Sequence, residues 1–341
     1  VTKQYLYGAQ VLGALDMEIK DGEIIAVLGD ERSGKTTFIK VVSAVEDCDG
    51  EILLDGKPMT QKTDDTIVVF DDLALFAGKT FKYNLAFPLA IRGYDKQEIE
   101  SRVTTAAERL GIVACLNDKV RKASLIDKKR LAIARLLIRD AKAVFVDDIT
   151  QGLSAEESKI ILGELQPILV DFARKGASVV YSTASREEAM SIADRIVVLH
   201  YGEVKQIGTC DEIYAHPENV WAGEAVDEFF AFEEATLERV DGKLKLVFGD
   251  CVLDAGRFDG KLISDYDGKA VYVGWHGEDY AENGEREEQV EYAFRQSDKV
   301  VNVTASGKKV VGKQKLDKVC TLPNVEKVFL FDKENENSIE K

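Results

Sequence analysis

Short, continuously apolar runs recur through the first part of the chain: Glu23-Ile-Ile-Ala-Val-Leu28, Thr66-Ile-Val-Val-Phe70, Ala143-Val-Phe-Val146, Ser178-Val-Val-Tyr181 and Ile196-Val-Val-Leu199. They are rich in β-branched residues and lack the alternation of a strand with one wet face, so they predict a largely parallel sheet buried on both sides. Between them the period changes to that of a helix. Asp95 with Glu98 three residues on reads as a helix start, and Ile99, Val103, Ala106 and Leu110 then recur at helical spacing until Gly111. Lys128 to Arg139 carries Leu131, Ala134, Arg135 and Ile138 in the same rhythm, predicting a second amphipathic helix. Beyond His216-Pro217 and Phe229-Phe230-Ala-Phe232, the chain turns to short strands separated by Asp241-Gly242, Asp259-Gly260 and Asp267-Gly268. The pattern therefore predicts an α/β domain over 1–235, with a helical insert at about 86–137, and a smaller β-rich domain over 236–341. No internal repeat is visible, and the polar last ten residues are expected to fray.

A length of 341 residues suits two domains, each with its own core. With 45% hydrophobic and 31% charged residues, folding is the expectation. No run is long and apolar enough to span a membrane, and the opening Val-Thr-Lys-Gln-Tyr lacks a signal-peptide core, so a chain neither membrane-spanning nor exported is expected. Five singly spaced cysteines read as buried cytosolic thiols rather than a disulfide framework. A net charge of −16 argues against nucleic acid as a partner.

The chemistry concentrates where the first apolar run ends. Gly29-Asp30-Glu31-Arg32-Ser33-Gly34-Lys35-Thr36 fits G-x-x-x-x-G-K-[ST], between a strand and the helical Phe38-Ile-Lys-Val-Val42, and Thr37 is counted with it among the nucleotide-binding residues. Its glycines let main-chain amides face phosphate oxygens, Lys35 neutralises charge, and Thr36 is placed to ligate Mg²⁺. Asp147 closes another apolar run, where a carboxylate at a strand end can hold the same ion. The isolated His200, His216 and His276 do not suggest a metal site.

With these residues in place, the chain resembles the ATP-binding subunits of ABC transporters, most closely those of bacterial sugar and glycerol-phosphate importers. Val1-Thr-Lys-Gln-Tyr5 is similar to the adenine-stacking segment, Arg130-Leu-Ala-Ile-Ala-Arg135 to the helix after the signature loop, and Glu187 to Arg195 to the segment after the switch histidine. Glu212-Ile-Tyr-Ala-His-Pro217 resembles the exit from the cassette. The resemblance implies a RecA-like P-loop NTPase fold with a helical subdomain, followed by an oligonucleotide-fold-like regulatory domain. It further implies ATP and Mg²⁺ as ligands, a second ATPase subunit and transmembrane permease subunits as partners, and a cytoplasmic position at the inner face of the membrane. Tyr5 would stack the base, Ala74-Leu-Phe76 with Asn84 to Pro88 would meet the permease, and Ser124 would reach a nucleotide. The chain opens without Met almost at Tyr5, so an initial strand of similar proteins is expected to be missing.

Several positions depart from the family pattern. Asp71 stands where a glutamine is usual, with a carboxylate that could still touch Mg²⁺. Ala123-Ser-Leu-Ile-Asp127 replaces Leu-Ser-Gly-Gly-Gln, Asp148 replaces the catalytic glutamate, Ala184 the switch histidine, and Gln151-Gly-Leu-Ser154 the usual Ser-Ala-Leu-Asp. In Gly274-Trp-His-Gly-Glu-Asp279, His276 and Gly277 replace Arg and Pro of a regulatory-domain element. The retained groups bind base, phosphates and metal, and the altered ones act on the γ-phosphate. The resemblance thus implies an importer subunit that binds ATP and hydrolyses it weakly, or else a non-hydrolysing half of a heterodimer.

Overall fold

The computed structural model describes residues 1–5, 10–61, 63–249, 251–258, 263–280, 287–296, 299–304, 308–312, 318–321 and 323–339. The chain forms two compact units, Val1–Ile207 and Gly208–Lys341.

In the first unit, β1 (Lys3–Gln4) and β2 (Gln10–Leu12) pair antiparallel, and β4 (Leu53–Leu54) pairs with β5 (Lys57–Pro58) in the same sense. The main sheet comprises β3 (Ile24–Leu28), β6 (Thr66–Val69), β7 (Ala143–Asp147), β8 (Ser178–Thr183), β9 (Arg195–His200) and β10 (Glu203–Gly208), in the order β10-β9-β3-β8-β7-β6. The pairs from β9 through β6 are parallel. Each apolar run is a strand buried on both faces because its side chains divide between two cores. Val144 and Val146 of β7 join one core and Ala143 and Phe145 the other. A two-residue period within a continuous apolar string supplies both sides of the sheet.

Helix α1 (Lys35–Val42) lies in the core that contains Phe38, Ile39 and Val41, while α5 (Ala155–Arg174) packs into the opposite one through Ile161, Leu165 and Leu169. The helical insert consists of α2 (Phe81–Ala90), α3 (Lys96–Arg109) and α4 (Leu125–Leu137), and α6 (Arg186–Ile192) follows β8. The insert thus opens before residue 86, because the Thr80 hydroxyl caps α2 by accepting from the Tyr83 amide. Asp95 caps α3 as its sequence implies, accepting from the amides of Gln97 and Glu98. Helix α4 begins three residues before the expected Lys128, since Ser124 caps it through the Asp127 amide. A serine with an acid three residues on is a helix start, and it converts most of the signature-like loop into a first turn.

In the second unit, α7 (Cys210–Ala215) and α8 (Val220–Val226) precede nine strands among the described residues. Strands β11 (Ala231–Val240), β12 (Lys243–Phe248), β13 (Cys251–Asp254), β14 (Lys269–Trp275) and β19 (Phe329–Asp332) form one antiparallel sheet, in the order β13-β12-β11-β14-β19. Strands β15 (Glu287–Gln296), β16 (Lys299–Thr304), β17 (Lys309–Gly312) and β18 (Lys318–Cys320) form the other, in the order β17-β16-β15-β18. Asp241 and Gly242, both at positive φ (53° and 75°), make the β11–β12 hairpin, as that dipeptide favours. Asp259-Gly260 lies outside the described residues.

The division at 207/208 differs from the expected 235/236 boundary. Residues 208–235 carry no strand-and-turn composition, yet Val220 packs with Phe230 and Phe331, and β11 begins at Ala231. The described residues up to 339 are likewise held rather than frayed: Trp221 Nε1 donates to Glu336 Oε2 at 2.5 Å, and Ile339 is buried. Cys48, Cys115, Cys210 and Cys251 are half-buried free thiols rather than fully buried ones.

His276 occupies a built environment in this unit. Its Nδ1 lies 2.7 Å from Asp227 Oδ2, its Nε2 lies 2.8 Å from the Tyr214 carbonyl, and its ring stacks on that of Tyr214 at 3.7 Å. Burial pushes the Asp227 carboxyl up, but hydrogen bonds from His276 and the Phe229 amide hold it below its ordinary value. Asp279 pairs with Lys327 at 2.6 Å. The His-Gly departure is therefore a packed element of the second unit.

Candidate nucleotide site

The site is built at the C-terminal edge of the parallel strands, where β3 passes through a loop into α1. Gly29 has no room for a side chain, since an added Cβ would lie 2.2 Å from the Leu199 carbonyl oxygen and 2.6 Å from Ser33 Oγ. Gly34 caps α1 with φ at 104°, a left-handed conformation that only glycine takes cheaply. These two positions bend the main chain so that the first amides of α1, at Lys35, Thr36 and Thr37, open toward the loop with no intrahelical acceptor. Arg32, at φ 66°, is a strained member of the same loop, whose Asp30, Glu31 and Arg32 are exposed.

Lys35 is buried and donates to the carbonyls of Gly29 at 2.7 Å and Asp30 at 2.8 Å, closing the loop on its own ammonium. Burial lowers its pKa, and the carboxylates of Asp148, Asp147, Asp30 and Glu31 oppose that shift. Asp147 is fully buried, and its Oδ1 accepts from Ser182 Oγ at 2.5 Å. Burial pushes its carboxyl up, hydrogen bonding by Ser182 and Thr36 pulls it back, and the charge of Asp71 adds to the rise. Asp148, at φ 38°, sits beside it, with a carboxyl also raised by burial against the pull of Lys35.

Lys35, Thr36, Asp71, Asp147 and Asp148 thus come together at one strand edge. Among the described residues, two buried oxygens there, Ser33 Oγ and Asp147 Oδ2, have no hydrogen-bond partner. A buried carboxylate oxygen left without a donor, beside a threonine hydroxyl, fits a hard cation. The glycine-shaped loop with its unpaired helix amides fits a phosphate chain. Thr36 and Asp147 are the residues that would hold Mg²⁺, with Asp71 nearby, and the ion would supply positive charge to the terminal phosphates. The protein's own part is to grip the phosphates through the loop amides and Lys35, and to keep the acid of Asp148 beside them.

A carboxyl whose folded pKa is raised loses folding stability as pH climbs from its unfolded value to its folded one, and above the folded value the buried charge is fully unfavourable. Asp147→Asn is therefore expected to raise the melting temperature of the ligand-free chain by about 2–4 °C, the shift that about 1 kcal/mol gives a domain of this size. It should also remove the Mg²⁺ dependence of nucleotide binding. Scanning calorimetry with and without Mg²⁺ checks both, and a lower melting temperature would count against an unfavourable charge at this position.

The other sequence-predicted positions have their own surroundings. Tyr5 is exposed, its hydroxyl donates to Glu46 Oε2 at 2.5 Å, and Lys3 Nζ stands 5.2 Å from its ring. Glu46 also pairs with Lys40 in the last turn of α1, so Tyr5 is anchored at the end of that helix away from the P-loop. Ser124 Oγ donates to Asp127 Oδ2 at 2.6 Å and is spent on capping α4. Leu125 is exposed and would touch a Cβ on Gly152 at 3.3 Å, so a bulky side chain fills the space beside the Gln151 to Ser154 loop. Ala184 is exposed directly after β8.

Two groups were not singled out by sequence reasoning. Glu188 is buried and accepts from Tyr181 at 2.6 Å and Thr183 at 2.8 Å, tying α6 to the end of β8. Lys129 is 2% exposed on α4. Its only sequence signal is its position three, four and seven residues before Ala132, Ile133 and Leu136, all of them buried.

Fold and site define a P-loop nucleotide-binding cassette. Residues 12–151 match the ABC transporter family. The spermidine/putrescine import ATP-binding protein of Vibrio cholerae is 30% identical over 240 residues, covering 69% of this chain and 63% of that protein. The trehalose import ATP-binding protein of Mycobacterium tuberculosis is 31% identical over 258 residues, covering 74% and 64% respectively. The chain thus spans a little under two thirds of the length of these relatives. Among solved structures, cbiO1 of Clostridium perfringens, part of an ABC transporter complex, aligns with a TM-score of 0.54 and 26% identity over 63% of this chain and 88% of its own. The dimeric ATP-binding cassette MJ0796 bound to ADP and Pi shares the fold, with a TM-score of 0.55 and 24% identity over 61% of this chain and 96% of its own. The first unit is an ATP-binding cassette of the ABC transporter family.

Proposed function

We propose that this chain is the ATP-binding subunit of an ABC importer of the carbohydrate type, and that it binds Mg²⁺ and ATP but hydrolyses ATP slowly. The observation that carries the reading is the joining of a glycine-shaped P-loop, buried Lys35 and the unpartnered Asp147 oxygen at one strand edge. That cluster supports ground-state binding. Slow turnover follows from the shorter reach of Asp148, from an alanine at 184 that offers no hydrogen bond to the γ-phosphate, and from Leu125 and Ile126 in place of glycines.

The import role rests on the relatives and on one surface. Phe76 and Tyr83 are exposed, and their rings pack edge to face at 5.8 Å, with Phe87 stacked on Tyr83 at 5.7 Å. Asn84 fixes this cluster by accepting from the Phe76 amide at 2.8 Å and donating to the Thr80 carbonyl at 2.9 Å. A fixed, exposed aromatic cluster suits docking to a permease subunit at the inner face of the membrane. Among the described residues, no helix is long and apolar enough to cross a membrane. A second ATPase subunit would pair with the cassette.

A steady-state assay of the pure chain with Mg²⁺ and ATP tests the slow-turnover reading. Turnover well below about 1 s⁻¹, the lower end of ordinary enzyme rates, is expected. Turnover within the ordinary range that Lys35→Ala abolishes would contradict it.

A further inference from the structure

Asp147 and Ser182 stand opposite each other at the end of the parallel sheet, where β7 pairs with β8. On its other side Ser182 is paired with Val27 of β3, the strand that leads into the P-loop. The apolar run Val179-Val180-Tyr181 thus gives way to a hydroxyl where β8 reaches the nucleotide site, and both Ser182 and Asp147 are fully buried.

The Ser182 hydroxyl is committed in both directions. It accepts from the Asp148 amide at 3.2 Å, and it donates its one proton to Asp147 Oδ1 at 2.5 Å. The Ser182 carbonyl accepts from the same amide at 3.1 Å, which fixes the two strand ends against each other. One oxygen of the Asp147 carboxylate is therefore held by the sheet. The other, Oδ2, has no hydrogen-bond partner among the described residues. A carboxylate free of such a contact can offer a cation one oxygen or two, whereas this one is set to offer Oδ2. Mg²⁺ demands near-ideal octahedral geometry and is held through one or two carboxylates, while Ca²⁺ tolerates about six to eight oxygens and takes carboxylates by one oxygen or by both.

We propose that Ser182 is a positioning residue for the cation: by holding Oδ1 of Asp147 it leaves Oδ2 alone for the metal, and so favours Mg²⁺ over Ca²⁺ beside the bound nucleotide. The inference deepens the proposed Mg²⁺- and ATP-binding role and rests on it.

Ser182→Thr and Ser182→Val share one shape, so the difference between them reads the hydroxyl. Equilibrium dialysis of the full chain with labelled ATP, in Mg²⁺, in Ca²⁺ and in a chelator, gives three affinities for each variant. The unaltered chain and Ser182→Thr should bind ATP more tightly with Mg²⁺ than with Ca²⁺. In Ser182→Val the affinity with Mg²⁺ should fall about tenfold below that of Ser182→Thr, the low end of what loss of a ligand's supporting hydrogen bond costs. The affinities with Ca²⁺ and in chelator should change by less than about threefold. If either branched variant fails to fold, Ser182→Ala against the unaltered chain makes the same comparison. Equal affinities with Mg²⁺ whether or not the hydroxyl is present, or a loss of equal size with both cations or in chelator, overturn the proposal while leaving nucleotide binding intact. An unaltered chain whose ATP affinity ignores Mg²⁺ overturns the metal reading, one that binds no ATP overturns the nucleotide-site reading, and this proposal falls with either.

Discussion

Lys35→Met weakens ATP binding by about a hundredfold or more, on the expectation that its ammonium makes at least one charge-assisted phosphate contact worth about 1.5–3 kcal/mol. The methionine keeps the buried stem, so the loss reports charge rather than packing. Two things add to the effect. The ammonium that closes the loop on the Gly29 and Asp30 carbonyls is gone, and Asp30, Glu31, Asp147 and Asp148 then face the phosphates with less opposing charge. Equilibrium dialysis with labelled ATP measures the change. A melting temperature equal to or above that of the unaltered chain is expected alongside it, since burial opposes the Lys35 charge. A loss below about threefold in a folded variant would remove Lys35 from the phosphate site.

The second large effect is a gain. Asp148→Glu with Ala184→His is expected to raise turnover by about two orders of magnitude, from transition-state contacts worth about 2.7–4 kcal/mol each with incomplete additivity. The framework suits the change. The amide of Asp148 donates to the Ser182 carbonyl at 3.1 Å, and Ala184 follows two residues later on the same strand end, exposed and just ahead of the Ser185 cap of α6. A longer acid and an imidazole would emerge from fixed main chain at one edge. Leu125 and Ile126 remain in the doubly substituted chain, so the gain should stop short of a fully equipped site. Steady-state phosphate release measures it. An unchanged rate with unchanged ATP affinity would mean that these two positions are not what limits turnover.

How much of this was legible beforehand varies by element. The P-loop was plain because its chemistry is local: Gly29 and Gly34 are dictated by the turn itself, and the flanking strand and helix announce themselves within a few residues. Asp95 likewise signalled its helix, because a cap is a short-range device. The buried strands were readable as continuous apolar runs, although which residue faced which core was not.

Lys129 showed itself only through its helical spacing to Ala132, Ile133 and Leu136, because its burial is tertiary. Nothing in Lys128-Lys129-Arg130 says that the middle residue turns inward, and only the docking of α4 against the Asp71 loop and α5 decides it. The 207/208 division escaped for a similar reason. Composition marks where strands begin, whereas α7 and α8 belong with the second unit through the packing of Val220, Phe230 and Phe331. The tail reads as polar, yet Glu336 and Ile339 find partners in the fold. The start of α4 is legible in the sequence, since Ser124 with Asp127 three residues on has the form of a cap.

The central claim is that the grip on ATP is kept while the chemistry on its γ-phosphate is largely lost. A single-turnover experiment reads both at once: excess chain, Mg²⁺ and trace labelled ATP, with the protein-bound label separated over time and resolved into ATP and ADP. The account predicts that label is retained and stays ATP for minutes or longer. Conversion to ADP within about a second, the time of ordinary enzymatic turnover, or no retention of label by a folded chain, would contradict it.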